Sequence, residues 1–260
     1  MNDKGYIDQV EVLGVKVNCI DKEGLLRQVA DWVSEDSKRT ITYVNAHCLN
    51  IAAKDNIYRR LLNQFDLVYS DGIGVVWAGK LLAQSRQHKL TGRTWIWDFC
   101  SICQEQDICL YLLGGKTGIV HEAKKRLEAR LPNLHILGVC DGYFVEKSEQ
   151  QVLAELRVKK PDVLLVGMGV PRQEKWIYLH FEQLPAKVYW GVGALFDYVA
   201  GVEQAVPKWM DRLAMEWVWR LAVDPRGKWN RYIIGTPLFI GRVLWQKIDR
   251  IIKPKNYTVL

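Results

Sequence analysis

Asp162-Val-Leu-Leu-Val-Gly167-Met-Gly169-Val-Pro171-Arg-Gln173-Glu-Lys-Trp176 reads as a buried strand, a tight turn and the first turn of a helix. Glycines let a ligand approach the backbone, and Pro171 at the first helical position loses nothing, because that N–H has no intrahelical partner. Open α/β sheets place ligands at such strand-to-helix turns, which makes Gly167 and Gly169 candidate binding residues.

The same alternation extends outward in both directions. Apolar runs at Gln9–Val17, Thr40–Val44, Leu67–Ser70, Ile108–Leu113, His135–Val139, Val163–Gly167 and Lys187–Trp190 are separated by helix-period stretches. Asp21 suits the N-cap of a helix with Leu25, Leu26, Val29, Ala30 and Val33 on one face, and Leu49 to Leu62 repeats that spacing. Further helices are predicted over Gly74–Ala83, Thr94–Gln104, Thr117–Leu131, Ser148–Val158 and Arg172–Gln183. Strand alternating with helix predicts an α/β, Rossmann-like fold, a mostly parallel open sheet with helices on both faces. Asn45, Asp71-Gly72-Ile73-Gly74, Gly114-Gly115, Asp141-Gly142-Tyr143, Gly167-Met168-Gly169 and Gly191-Val192-Gly193 each follow a predicted strand. One glycine loop can simply end a strand, but six on one edge predict a single ligand crevice.

With 260 residues, 49% hydrophobic and 25% charged, the chain can bury a sizeable core. The polar segment Met1 to Gln9 does not resemble a signal peptide, and no apolar run is long enough to span a bilayer, so a cytoplasmic location is expected. Six cysteines lie mostly in apolar stretches and read as free thiols; Cys100-x-x-Cys103 falls inside a predicted helix without a second pair. The net charge of +7 is localised: Lys208 to Lys255 holds eleven basic and four acidic residues, and the remainder is neutral. After Pro207 the sequence becomes an aromatic, basic helical pattern, broken at Asp224-Pro225 and again at Gly235-Thr236-Pro237. The chain therefore divides into an α/β domain, 1–206, and a basic, Trp-rich appendage, 207–260. Trp interleaved with Arg and Lys suits an anionic membrane surface, with rings at headgroup level.

Several chemistries lack their motifs. Gly167-Met-Gly-Val-Pro-Arg has no third glycine and falls late in the sheet, which weakens a nicotinamide dehydrogenase or epimerase reading. No P-loop, no G-x-S-x-G turn, no D-x-D pair and no histidines at ligand spacing occur. A nucleic-acid-binding module using the basic tail is the other alternative. Asp71, after Leu67-Val-Tyr-Ser70, is the candidate general base; on local sequence a helix N-cap role fits it equally well. Asn45 on the neighbouring loop could orient substrate through its amide.

Tyr43-Val-Asn-Ala-His, Ser70-Asp-Gly-Ile-Gly-Val-Val-Trp, Lys89-Leu-Thr-Gly-Arg, Gly142-Tyr-Phe, Val166-Gly-Met-Gly-Val-Pro-Arg-Gln-Glu-Lys-Trp, Gly191-Val-Gly-Ala-Leu-Phe-Asp and Pro207-Lys-Trp-Met…Glu216-Trp…Arg220-Leu occur in order between about Val10 and Leu244. Together they resemble the WecG/TagA/CpsF glycosyltransferases. The resemblance implies inverting, metal-independent transfer from a UDP-sugar, a substrate and not a cofactor, to a polyprenyl-diphosphate-linked saccharide at the cytoplasmic membrane face. It implies Asp71 as base, Asn45 as its polar neighbour, and Arg220 as the appendage arginine closing over the diphosphate, with Arg226 and Arg231 as weaker matches. Thr91, Gly142, Tyr143, Gln173 and Asp197 match positions around the nucleotide, and Gly115, Gly167 and Gly169 join them as loop glycines. Tyr43 stands where many members have Thr, and Thr94 where many have an acid, so the accepted sugar stays open. Homo-oligomerisation is left open too.

Overall fold

The computed structural model describes residues 8–202, 206, 207, 209, 210 and 216–253. Six parallel strands form one sheet: β3 (Arg39–Val44), β4 (Leu67–Ser70), β5 (Leu110–Gly114), β6 (Ile136–Cys140), β7 (Val163–Gly167) and β8 (Val188–Gly191), ordered β4-β3-β8-β7-β5-β6. Almost every strand residue is buried, as expected of a sheet covered on both faces. Side-chain alternation assigns each to a face: Leu110, Leu112, Val163, Leu165, Val188 and Trp190 enter one core, and Tyr111, Leu113, Leu164, Val166 and Tyr189 the other.

The first core is covered by α1 (Lys22–Ser34), α5 (Gly92–Glu105), α6 (Ile119–Arg130) and α9 (Leu195–Val199). Trp190 anchors it, stacked on Trp95 with ring centres 4.2 Å apart. Asp21 caps α1 as predicted, its Oδ1 accepting from Gly24 N at 2.8 Å. The second core is covered by α2 (Ala46–Ala52), α3 (Asn56–Leu62), α4 (Ile73–Ala83), α7 (Glu149–Lys159) and α8 (Arg172–His180). Pro171 stands one residue earlier than the sequence suggests, in the N-cap position of α8, where its carbonyl accepts from Lys175 N.

Other sequence expectations change as well, and the Leu49–Leu62 stretch divides between α2 and α3. Gln9–Val17 is not one strand but an antiparallel hairpin of β1 (Gln9–Val12) and β2 (Val15–Asn18). Leu13 and Gly14 both take positive φ, 51° and 79°, the signature of a tight two-residue turn whose twist matches its strands. The unfavourable Leu13 conformation is held from outside: Gln246 Oε1 accepts from Leu13 N, and the Asn63 amide pairs with Lys16 N and Gly14 O.

In the tail, helices span Glu216–Val223 and Pro225–Trp229, a π turn covers Asn230–Ile234, and a final helix runs Gly235–Ile252. The Asp224-Pro225 break holds, but Gly235-Thr236-Pro237 does not interrupt the helix. Pro237 falls in the first turn, where a missing N–H costs nothing, and Asn50 Nδ2 donates to Gly235 O at 2.7 Å. Phe239 and Val243 of this helix are buried in the second core. Lys208, Asp211, Arg212 and Lys255 of the basic tail lie outside the described residues, as do 203–205 beside the 206/207 boundary. No described helix is long and apolar enough to cross a membrane.

Candidate active site

At the carboxyl ends of β3, β4 and β8 lies a cavity of about 530 Å³, closed on its far side by the tail. Five predicted site residues line it: Asn45, Asp71, Thr91, Arg220 and Arg231.

Asp71 leaves β4 with its N–H still bonded to Val44 O at 2.8 Å, which fixes its backbone as a continuation of the sheet. The N-cap of α4 is Gly72, with φ 105° and no side-chain cap, so the Asp71 carboxylate is not spent on capping. Asn45 takes that role one strand over: its Oδ1 accepts from His47 N and Cys48 N at the start of α2, and its Nδ2 donates to Asp71 Oδ2 at 3.3 Å. Burial pushes the Asp71 carboxyl above its ordinary value; the Asn45 hydrogen bond, Arg231 and Arg220 work against that, and Glu216 adds to it. A half-buried carboxylate with a raised pKa facing a cavity is suited to accept a proton.

Thr91 precedes α5 without capping it, and its hydroxyl oxygen is buried in the cavity wall with no hydrogen-bond partner among the described residues. Arg220 reaches the cavity from the helix Glu216–Val223 and Arg231 from the π turn, so both line the same space as Asp71. Arg226 sits on the short helix Pro225–Trp229, exposed and away from the cavity lining. Lys89, Arg93 and Glu216 line the cavity as well, and sequence reasoning gave them no role. Their signal was present as spacing: Lys89 and Arg93 bracket Thr91, and Glu216 precedes Arg220 by one helical turn.

The six strand-end loops do not all line this space. Those after β5, β6 and β7 pack against one another beside it: Gly115 N donates to Gly167 O, and Gly142 N to Gly115 O, each at 2.9 Å. A Cβ on Gly114 would collide with the Gly167 carbonyl, so these glycines serve backbone-to-backbone contact. Gly169, with φ 76°, has open space above its α-carbon. Tyr143 is 60% exposed, and the Arg172 guanidinium lies 5.5 Å from its ring centre. The Asp141 carboxylate ties that loop together by accepting from the N–H groups of Tyr143, Val145 and Glu146.

Gln173 is fully buried beneath the cavity floor. Its Oε1 accepts from Gly193 N at 2.9 Å and its Nε2 donates to Glu174 Oε1 at 2.8 Å, so it supports the turn after β8. Asp197 is half-buried in the first turn of α9, next to the cavity-lining Tyr198. Among the described residues, no group of three or more His, Cys, Asp or Glu side chains could hold a metal ion.

Comparisons with known proteins bear on this geometry. The chain is 28% identical over 247 residues, 94% of its length, to the N-acetylglucosaminyldiphosphoundecaprenol N-acetyl-beta-D-mannosaminyltransferase of Staphylococcus aureus strain NCTC 8325 / PS 47, covering 95% of that protein. The proteins of that name from strains COL and MRSA252 match at the same identity and coverage. The family model described as "Glycosyl transferase WecG/TagA/CpsF family" matches residues 10–253, the whole sheet together with the tail that closes the cavity. The chain whose carboxylate, amide and tail arginines line this one cavity belongs to the WecG/TagA/CpsF family of glycosyltransferases.

Proposed function

We propose that the protein moves an N-acetylhexosamine-type sugar from a UDP-sugar to a polyprenyl-diphosphate-linked saccharide during cell-surface polysaccharide synthesis, inverting the anomeric centre without a metal or cofactor. The observation carrying this reading is the Asp71–Asn45 pair on adjacent strand ends, lining one cavity together with Arg220 and Arg231. The names of the relatives, which specify N-acetylmannosamine transfer to a diphosphoundecaprenol-linked N-acetylglucosamine, support the choice of substrates.

In this mechanism Asp71 accepts the proton of the acceptor hydroxyl as that oxygen forms a bond to the anomeric carbon. The carbon–oxygen bond to the diphosphate breaks on the opposite face, and UDP departs with the electron pair. Arg220 and Arg231 stabilise the charge that develops on the diphosphate, a function other transferases give to a divalent cation. Thr91 stands in the wall beside the donor, and the open face at Gly169 and Tyr143 extends the cleft for the nucleotide. Gly115, Gly142 and Gly167 shape that wall, Gln173 braces it from below, and Asp197 stands at its edge.

The 1–206 unit carries base and sheet, and the 207–260 unit brings cations and a membrane-facing surface. Trp245, Ile251 and Ile252 are each at least 68% exposed on the final helix, with Lys247 between them in sequence and the exposed Lys253 just after. Such a surface suits shallow insertion into an anionic cytoplasmic leaflet, where the acceptor resides. Arg226 would meet headgroup phosphates there.

The deciding experiment incubates purified protein with a panel of UDP-sugars and follows UDP release with and without a polyprenyl-diphosphate-N-acetylglucosamine acceptor. Acceptor-dependent release from a UDP-N-acetylhexosamine is the expected result. Absence of release from every sugar, with a folded protein, would overturn the reading.

A further inference from the structure

One carboxylate gathers three cations at the wall of the cavity. Glu216 Oε1 accepts from Arg220 Nη2 at 2.9 Å, from Arg220 Nε at 3.0 Å and from Arg93 Nη2 at 2.9 Å, while Oε2 lies 3.1 Å from Lys89 Nζ. All four side chains line the same cavity as Asp71, and each is between 17% and 23% exposed. Burial opposes ionisation of Glu216, but Arg220, Arg93 and Lys89 outweigh it and hold the carboxyl below its ordinary value. Like charges this close repel strongly in a partly desolvated site, and the shared Glu216 carboxylate offsets that repulsion.

A carboxylate fills that place with two oxygens and one charge. A diphosphate offers more acceptor oxygens and more charge to the same two guanidinium forks and ammonium, and binds such groups bidentately. The cations also come from two parts of the chain: Lys89 and Arg93 flank the start of α5 on the sheet side, whereas Arg220 shares the tail helix with Glu216 itself. The ion cluster therefore joins the tail helix to the sheet side, and its three cations form an anion site in the cavity wall.

We propose that Glu216 is a resident anion occupying a diphosphate subsite formed by Lys89, Arg93 and Arg220, and that the diphosphate of a substrate displaces it. This rests on the transferase reading and deepens it by assigning Lys89 and Arg93 to substrate binding and Glu216 to holding the empty subsite assembled. Displacement swings the Glu216 side chain out while the incoming diphosphate takes over the bridge between sheet and tail. Both proposed substrates carry a diphosphate, so the recognised chemistry is common to them.

The test is equilibrium binding of UDP, of UMP and of a short-chain prenyl diphosphate to the wild type and to E216Q, E216A, R93Q and R93K, each checked for folding by its melting temperature. For a donor subsite, E216Q and E216A bind UDP severalfold more tightly, R93Q binds it about tenfold more weakly, R93K lies between, and UMP moves much less. For an acceptor subsite the same pattern appears with the prenyl diphosphate and leaves UDP unmoved. If both neutral Glu216 variants bind the two diphosphates no better than the wild type, or more weakly as R93Q does, Glu216 is only a tie and the inference fails. Wild-type protein that binds neither diphosphate overturns it as well. Loss of the transferase reading shows elsewhere, as a wild type that binds diphosphate tightly yet releases no UDP from any UDP-sugar.

Discussion

Asn45 donates from Nδ2 to Asp71 Oδ2 at 3.3 Å while the oxygen of the same amide caps α2, so one side chain sets both the helix start and the orientation of the base. Aspartate at position 45 would keep the cap and place a like charge beside Asp71. The N45D variant should therefore retain its melting temperature within a few degrees and move the acidic limb of the kcat/KM–pH profile upward, whereas alanine should cost about 1 kcal/mol of stability. An N45D profile superimposable on the wild type would show that the two groups do not interact.

Removing the proton acceptor is a more direct probe. The D71N protein should melt like the wild type, bind UDP normally and lose about 10²-fold or more in turnover. Because burial raises the Asp71 pKa, activity in the wild type should fall with acidification from a pH above the usual carboxylate range. Turnover by D71N within a few-fold of the wild type would remove Asp71 from the chemistry.

Glu174, fully buried, accepts from Thr42 Oγ1 and Gln173 Nε2, each at 2.8 Å, yet burial raises its carboxyl from 4.5 to about 7. The folded state thus holds a proton that the unfolded chain has already released between those values. Stability should decline as pH rises through that window, by on the order of 3 kcal/mol from this one group, and level off above it. Denaturant titrations of wild type and E174Q from pH 4.5 to 8 should differ in slope there; parallel curves would contradict the buried, protonated state.

Gly114 and Gly118 both have positive φ, but only at Gly114 would a Cβ meet backbone, the Gly167 carbonyl. G118A should cost about 1 kcal/mol through conformational strain alone, and G114A at least twice that, because the β5 and β7 loops must separate. Equal losses in urea melts would mean that the loop contact is soft.

Acidic replacement of Trp245 and Ile251 changes exposed side chains only. The W245E/I251E protein should keep its melting temperature and pellet far less with phosphatidylglycerol vesicles. Undiminished pelleting would place the membrane-facing surface elsewhere.

The sheet was legible because its strands are short, continuous apolar runs between helix-period segments, and each appears within a residue or two of its expected bounds. The hairpin was not, since β1 and β2 read as one alternating stretch and only the tertiary hold of Gln246 and Asn63 makes the Leu13 turn tenable. Asp71 and Asn45 were readable because strand ends project into the crevice. Gln173 was assigned to the nucleotide by position, but its amide is engaged by Glu174 and Gly193, a partnership between residues far apart in the chain. Glu216 escaped notice for the same reason, because an i, i+4 pair with Arg220 looks like a solvated helix face until Lys89 and Arg93 arrive from elsewhere. The dehydrogenase and nucleic-acid alternatives give way to the family match.

The hold on the hairpin has a consequence for how the molecule comes apart. Leu13 and Glu11 bond to Gln246 and Arg250, separations of 233 to 239 residues along the chain. Phe239 and Val243 enter the second core from that same final helix. Without the docked helix the hairpin turn loses its support and the second core two of its side chains. Whatever lifts the tail therefore loosens the hairpin at the opposite end of the described chain as well as the cleft.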